Sequence, residues 1–499
     1  MSKITLMQFS DLHKSEGSSE NDNVLISSIV SDINRQKSED PKISKPDFLV
    51  ICGDIIQGSA NGSSYEEGIQ EINIQYKEAE KFLDHLCQKL FNGDKKNIIL
   101  IPGNHDISWP HSINSMEKLE KPDKKYTKIF KTPSSKIRWC WTDLAFYQIV
   151  NELEYNNRFA SFSEFYKSFY EGARSYSLKP EEQYNIFEFP EKKILFLGLN
   201  SCYYNDHLND FGSINCDCIV SCHEKISQEV YKDWIKIAVW HHGIYGIPGC
   251  TDYLDQGVIQ FLIDKGFHIG LHGHQHKSDF VDVKFIIDQS VQMPTLGCGT
   301  LCASYRDIPP GETRQYSIIE IDKEQSALTL FIRKALDQTP DLPIWMSECI
   351  KQNNNERFMI VPFGRMNMTS FKHEEMQEIT TESIDLEALT QIDFLISTKE
   401  YQLALDKLKN LNFENQFVRK LILECLSNLE RDDEIITFIK EPKDVGEFTY
   451  LTEALWRVKS LTELRRVLEN SKENMEIAQS SAYSRISRKF EDRENYGKN

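Results

Sequence analysis

Three things are scarce in this chain, and each scarcity excludes a class of protein. No apolar run approaches the roughly 18 residues that a membrane-spanning helix needs. The first residues, MSKITLMQFS, lack a basic n-region, an apolar h-region and a cleavage site. No membrane partner is therefore expected, and a cytoplasmic location is. Cysteine is present 12 times but without the spacing of a disulfide scaffold, so reduced thiols are expected in a chain of 499 residues. The cluster Cys216, Cys218, Cys222 with His223 lacks the C-x2-C knuckles of common zinc sites and reads as loop or turn thiols. Positive charge is the third scarcity: 58 Lys and Arg against 76 Asp and Glu leave a net charge of −18. Such a surface repels polyanions, which must then be held by a local basic patch or by bound metals.

What is present is a hydrophobic fraction of 40%, arranged in short runs. Ile4–Phe9, Phe48–Cys52, Ile98–Ile101, Ile194–Leu199, Ile235–Trp240 and His268–Leu271 are rich in Val, Ile, Leu and Phe and lack polar alternation. They suit strands buried on both faces. Between them Glu66–Leu90 places Ile69, Ile72, Tyr76, Ala79, Phe82, Leu83 and Leu86 at helical spacing. Strand–helix alternation predicts an α/β domain over residues 1–340, with an insertion at about 107–190. Within it Phe162, Phe165, Tyr166, Phe169 and Tyr170 form a stripe that reads as packing. Residues 118–138 carry eight basic residues against Glu120 and Asp123, a local net +6 that reads first as a solvated loop and second as a polyanion contact. A linker is expected at 341–383 and an α-helical domain at 384–499. In the latter Glu400–Asn410, Arg431–Glu441 and Leu461–Ser471 recur at about 30 residues, which suggests helical hairpins or an ordinary bundle.

Polar residues cluster directly after the apolar runs. FSDLHK sets Asp11 and His13 two apart, on one side of an extended strand end. CGDII places Asp54 behind a glycine, PGNHD offers the Asn104 amide and the His105 imidazole, WHHG offers His241 and His242, and LHGHQH offers His274 and His276. In open α/β sheets ligands bind beyond the carboxyl ends of the strands. Imidazoles mixed with carboxylate and amide oxygens suit Mn, Fe or Zn better than an all-oxygen set would.

The ordered set D-x-H, G-D, G-N-H-D, H-H and G-H-x-H resembles the calcineurin-like metallophosphoesterase superfamily, from residue 1 to about 335. The short G-D-I-I-Q-G turn is more similar to its nucleotide-phosphodiesterase-like branch than to the Ser/Thr phosphatases, and Gln57 departs from the latter. The resemblance implies a layered β-sandwich flanked by helices, with a separate all-α C-terminal domain. It implies two divalent cations, manganese first and iron, zinc or magnesium as alternatives. Asp11, His13 and His276 would hold one, Asn104, His241 and His274 the other, and Asp54 would bridge them. Of the adjacent pair, His241 is preferred to His242 because it follows the strand directly. His105 would protonate the leaving oxygen, with Asp106 orienting its ring. An imidazole with an ordinary pKa of roughly 6.5 suits that task at neutral pH.

The expected activity is hydrolysis of phosphate esters by a metal-bound hydroxide, favoured on nucleotides or nucleic acids as a phosphodiesterase. The alternatives are a phosphomonoesterase or protein phosphatase, and a non-catalytic scaffold in a protein complex. The helical C-terminal domain is expected to offer a surface to a protein partner. Selectivity is expected from the insertion, from the loops near Tyr203–Cys222 and Gly246–Gln256, and from Arg306.

Overall fold

This computed structural model describes residues 3–15, 17, 22–59, 64–120, 125–129, 134–245, 252–285, 288, 290–303, 308–309, 312–336, 343–350, 353, 355–365, 392, 395–396, 400–409, 416–478, 483, 486–487 and 490. They divide into two units, Met1–Ser370 and Phe371–Asn499.

In the first unit each uniformly apolar run is a strand. β1 (Ile4–Phe9), β2 (Phe48–Cys52) and β3 (Ile98–Ile101) are buried along their whole length and pair in parallel. Parallel pairing needs crossovers, supplied by helices α1 (Asp22–Gln36) and α2 (Tyr65–Phe91). α2 begins where Ser64 and Glu67 form a reciprocal capping box, and it buries Ile72, Tyr76, Ala79, Phe82, Leu83 and Leu86.

Next come β4 (Met116–Lys118), β5 (Ile137–Cys140) and β6 (Ala145–Ile149), a separate antiparallel sheet in the order β4-β6-β5. β7 (Tyr184–Phe189), β8 (Ile194–Leu199), β9 (Ile235–Val239), β10 (Ile269–His272), β11 (Asp279–Lys284) and β12 (Val291–Gly297) build a second large sheet, ordered β11-β12-β10-β9-β8-β7. Its β8, β9, β10 and β12 run parallel. β13 (Gln315–Asp322), β14 (Ala327–Ala335) and β15 (Trp345–Ser347) extend the first sheet by antiparallel pairing. The two sheets pack face to face: Gln8 of β1 donates to the carbonyls of His272 and Leu296 at 3.0 and 3.1 Å. Gly198 of β8 lies so close to Ile101 of β3 that a Cβ there would come within 2.8 Å. This is the expected layered sandwich with helices outside.

Two expectations change. Residues placed in a linker at 341–383 include β15, β16 (Met359–Pro362, on β14) and β17 (Gly364–Arg365, on β12), so the sandwich continues to Arg365. The insertion at about 107–190 is also not one body. The helix Ala160–Phe169 buries Phe162, Phe165, Tyr166 and Phe169. Its Phe165 stacks on Tyr76 of α2 with ring centroids 4.8 Å apart, which is packing, as the stripe predicts. β7 joins the second sheet, and only β4 to β6 stand apart.

The second unit is helical: Tyr401–Leu408, Gln416–Asn428, Asp432–Phe438, Val445–Arg457, Leu461–Asn470 and Met475–Ala478. Its core includes Leu405, Leu408, Ile422, Ile435, Phe448, Leu455 and Leu464. The N–H groups of Glu400, Arg431 and Ser460 each bond a carbonyl five residues back, on Leu395, Leu426 and Leu455, at 2.8, 2.9 and 2.9 Å. Glu430 and Lys459, just before two of these positions, are left-handed with φ 57° and 59°. Such a bond with a left-handed residue is a helix stop, and it recurs at the period of about 30 residues seen in the sequence. Leu386, Leu389 and Phe394, read as the first helical positions, lie outside the described residues.

Candidate metal centre

Because the parallel strands of both sheets end on one rim, five chain segments converge there. Asp11 and His13 follow β1, Asp54 follows β2, Asn104 and His105 follow β3, His241 follows β9, and His274 and His276 follow β10. The turns are tight and unusual. Asp11, His13, Asp54, His274 and His276 all have left-handed backbones, with φ of 53°, 44°, 50°, 76° and 54°. For residues with a Cβ this conformation is uncommon and costs roughly 1 kcal/mol each. The ladder of β1 and β2 continues into the turns and fixes them: Asp11 N–H bonds Gly53 O, His13 N–H bonds Asp54 O, and Lys14 N–H bonds Ile55 O. Gly53, at φ 85°, touches both Gly103 and His241, so any side chain there would drive the three segments apart.

All seven sequence-predicted donors come together. His276 Nε2 lies 3.3 Å from Asp11 Oδ1 and 3.2 Å from His13 Nε2. His241 Nε2 lies 3.3 Å from Asp54 Oδ2, 2.9 Å from Asn104 Oδ1 and 3.3 Å from His274 Nδ1. Asn104 Oδ1 lies 3.1 Å from His274 Nδ1. Two groups result, Asp11–His13–His276 and Asp54–Asn104–His241–His274, with His13 Nε2 3.9 Å from Asp54 Oδ2 between them. Facing imidazole nitrogens at this separation suit one shared cation. Nitrogens bound about 2.1 Å from an ion stand about 3.0–3.4 Å apart. Asp11 Oδ1 is buried and has no hydrogen-bond partner among the described residues. A donor set of imidazoles and buried carboxylates thus fits a pair of cations.

The electrostatics point the same way. Burial raises the Asp54 carboxyl, yet the His241, His105 and His13 charges and the His241 contact outweigh it and hold it well below the usual range. Asp11 is likewise raised by burial but brought down overall by His276 and His241. His241 is lowered by burial, but Asp54 and Asp11 more than reverse this, to about 9. Two buried carboxylates demand positive charge, and among the described residues the neighbouring imidazoles are placed to supply it.

His105 differs from the other histidines. Its side chain is 38% exposed whereas His241 is fully buried, so it faces the opening. Its Nδ1 lies 2.7 Å from the carbonyl of Gln57, and its Nε2 faces Asp54 Oδ2 at 4.0 Å. Asp106 does not orient this ring, contrary to expectation. The 3-10 turn Asn104–Asp106 carries it inward. There Oδ2 accepts N–H bonds from Gly103 and Ile55 at 2.7 and 3.1 Å, and Oδ1 accepts the Tyr76 hydroxyl at 3.1 Å. Burial, with the Asp54 charge adding, pushes its pKa to about 7. It braces the β2 and β3 turns.

His242 turns into the interior, with Nδ1 2.9 Å from Ser201 Oγ. The same hydroxyl accepts the N–H groups of His241 and His242, both at 3.0 Å. Asp252 holds the back of His274, its Oδ2 3.4 Å from Nε2. Sequence reading missed both Ser201 and Asp252. The Cys216–Cys222 cluster lies on the helix Cys216–Ile226, where Cys218 and Cys222 are buried and Cys216 is exposed. It forms no metal-sized group among the described residues. Arg306 and residues 246–251 lie outside the described residues. Among the described residues no helix is long and apolar enough to cross a membrane.

A family model described as calcineurin-like phosphoesterase matches residues 4–278. The chain is 26% identical over 249 residues to the uncharacterized metallophosphoesterase-like protein YydB of Bacillus subtilis, covering 47% of this chain and 42% of that one. It is 30% identical over 94 residues to the DNA polymerase II small subunit of Methanocaldococcus jannaschii, covering 18% and 14%. The chain thus spans less than half the length of these two curated relatives. Among solved structures it is similar to GAP50, the anchor in the inner membrane complex of Plasmodium, at 9% identity and a TM-score of 0.33, covering 74% of this chain and 90% of that one.

Proposed function

From the premise that the chain belongs to the calcineurin-like phosphoesterase family, we propose that it is a phosphodiesterase acting on nucleotides or nucleic acids. One observation carries the reading. Seven donors from both sheets meet at one rim, with a single exposed imidazole, His105, beside them. The weak, partial likeness to a polymerase small subunit supports the substrate class.

Asp11, His13 and His276 would hold one cation, Asn104, His241 and His274 the second, with Asp54 shared between them. When bound, such cations supply charge for the phosphate oxygens and make water a stronger nucleophile near neutral pH; manganese is the first choice for this donor set. The chain's own residues do the rest. The Gln57 carbonyl accepts a hydrogen bond from His105 Nδ1–H, which leaves Nε2 to meet the substrate. Protonated, His105 donates from Nε2 to the leaving oxygen, a contribution worth about 10²–10⁴ in rate. Ser201 fixes the backbone that carries His241, and Asp252 sets the tautomer of His274.

With manganese, the protein should cleave bis(p-nitrophenyl) phosphate faster than p-nitrophenyl phosphate. Asp54→Ala and His105→Ala should abolish this. Unchanged turnover in both variants would sink the catalytic assignment, and a preference for the monoester would sink the diester one.

A further inference from the structure

Two consecutive residues of α2 hold the two turns that carry His105 and its acceptor. Tyr76 bonds Asp106 Oδ1 at 3.1 Å, in the turn after β3. Gln75 reaches Gly58, in the turn after β2. The His105 N–H bonds Asp54 Oδ1 at 2.8 Å, so its main chain is fixed independently of the ring.

The ring is aimed differently. It meets His13 edge-on with centroids 4.8 Å apart, a contact that limits its tilt but does not choose which nitrogen carries the proton. That choice falls to the Gln57 carbonyl, 2.7 Å from Nδ1. A carbonyl only accepts, so the proton sits on Nδ1 and Nε2 is left for the cleft. The aim of the ring is then as good as the peptide group between Gln57 and Gly58.

Gln75 grips that peptide from its other end. The Gly58 N–H, which belongs to the same peptide group as the Gln57 carbonyl, donates to Gln75 Oε1 at 2.9 Å. Gln75 Nε2 donates to the Gly58 carbonyl at 3.0 Å. The side-chain amide thus meets a backbone donor and a backbone acceptor at once, which fixes which of its ends is oxygen. Gln75 is half-buried on a helix of 27 residues, and support from a helix is more precise than support from a loop. Bonds in line also polarise one another, by about 10–30% each. With its N–H engaged, the peptide offers His105 a stronger carbonyl acceptor.

We propose that Gln75 is a positioning residue for His105. It works through the Gln57–Gly58 peptide to hold the imidazole as its Nδ1–H tautomer, with Nε2 towards the substrate. Packing alone does not require glutamine here, since methionine has the same length and a similar helix preference. The role rests on the reading of His105 as the proton donor and adds what sets its ring.

Gln75→Met makes neither bond, and Gln75→Ala is a second variant that removes the side chain. In manganese-loaded protein both should lower kcat for bis(p-nitrophenyl) phosphate about tenfold, part of the roughly 10²–10⁴ that a general acid supplies. KM should stay as in wild type. The fall should be larger for diphenyl phosphate, whose leaving oxygen needs the proton more. NMR of the ring nitrogens needs no turnover. In chain loaded with diamagnetic zinc, the His105 signal, identified by its loss in His105→Gln, should report the Nδ1–H tautomer. Both Gln75 variants should shift it towards Nε2–H. A wild-type tautomer in both variants, or a raised KM with kcat unchanged, would overturn the proposal. If wild type cleaved neither diester while the tautomer shifted as expected, the diesterase reading alone would fall.

Discussion

His105 meets the main-chain carbonyl of Gln57 through Nδ1 at 2.7 Å, so the one exposed histidine of the site is aimed by backbone rather than by a carboxylate. Gly58 follows, at φ 89°, where a Cβ would come within 2.8 Å of the His105 carbonyl. Gly58→Ala should therefore shift both partners. Because a displacement near 1 Å can cost about 10²-fold, kcat for a diester should fall roughly 10- to 100-fold. Cation content, measured by elemental analysis, should stay as in wild type, since no donor is touched.

Asp252 gives the opposite pattern. Its carboxylate faces the ring nitrogen of His274 that points away from the cluster. Removing such a partner typically costs about 10–100-fold in metal affinity. Asp252→Ala should show that loss in a metal titration, and saturating manganese should restore most of the diester turnover.

Cation binding should be visible as stability. A ligand present at about 100 times its Kd stabilises a fold by about 2.7 kcal/mol. Manganese should raise the midpoint of thermal unfolding, a chelator should reverse this, and Asp54→Ala should remove the shift. A midpoint indifferent to both additions would contradict the two-cation reading.

Arg138 and Asp206 form a buried ion pair. Truncating one partner strands the other, at about 3–5 kcal/mol. Arg138→Ala should loosen the small sheet, with limited proteolysis first cutting within 116–149. Uniform cutting across the chain would argue that the sheet has no separate anchor.

His268 sets a pH dependence away from the site. Burial, with Lys236 and Lys323 adding, lowers its pKa to about 4, and its Nδ1 accepts the Lys236 N–H at 3.1 Å. A base harder to protonate folded than unfolded stabilises the fold above its ordinary pKa of roughly 6.5 and loses that contribution as pH falls towards 4. Between pH 7 and 5 wild type should lose about 2 kcal/mol more than His268→Gln, read from urea midpoints. Equal losses would show that the ring is solvated.

The sheets and the convergence of seven side chains on one rim were legible because both are written in local sequence: uniformly apolar runs make parallel strands, and these side chains stand at their carboxyl ends. What acts across distance was not. Ser201 reaches His241 forty residues on, Asp252 reaches His274 from a neighbouring loop, and Gln57 works through its carbonyl, which every residue has. Asp106 misled because adjacency to His105 says nothing about the turn that faces it inward. The basic run misled in part because a count of charges does not show that Arg138 points inside. β16 and β17, four and two residues long, fall below what apolar patterning detects. The recurrence of helix stops in the second unit lies in hydrogen bonds such as Arg431 to Leu426 and Ser460 to Leu455, not in side-chain identity.

The left-handed torsions at Asp11, His13, Asp54, His274 and His276 set side-chain chemistry against backbone comfort. Glycine would sit in any of the five without strain, and one substitution is enough to put it in place of either aspartate. At Asp11 and Asp54 glycine would relieve the backbone but remove the carboxylates that accept the N–H groups of His274 and His105. All five instead carry a carboxylate or an imidazole, the donor types that the two-cation reading requires at these turns.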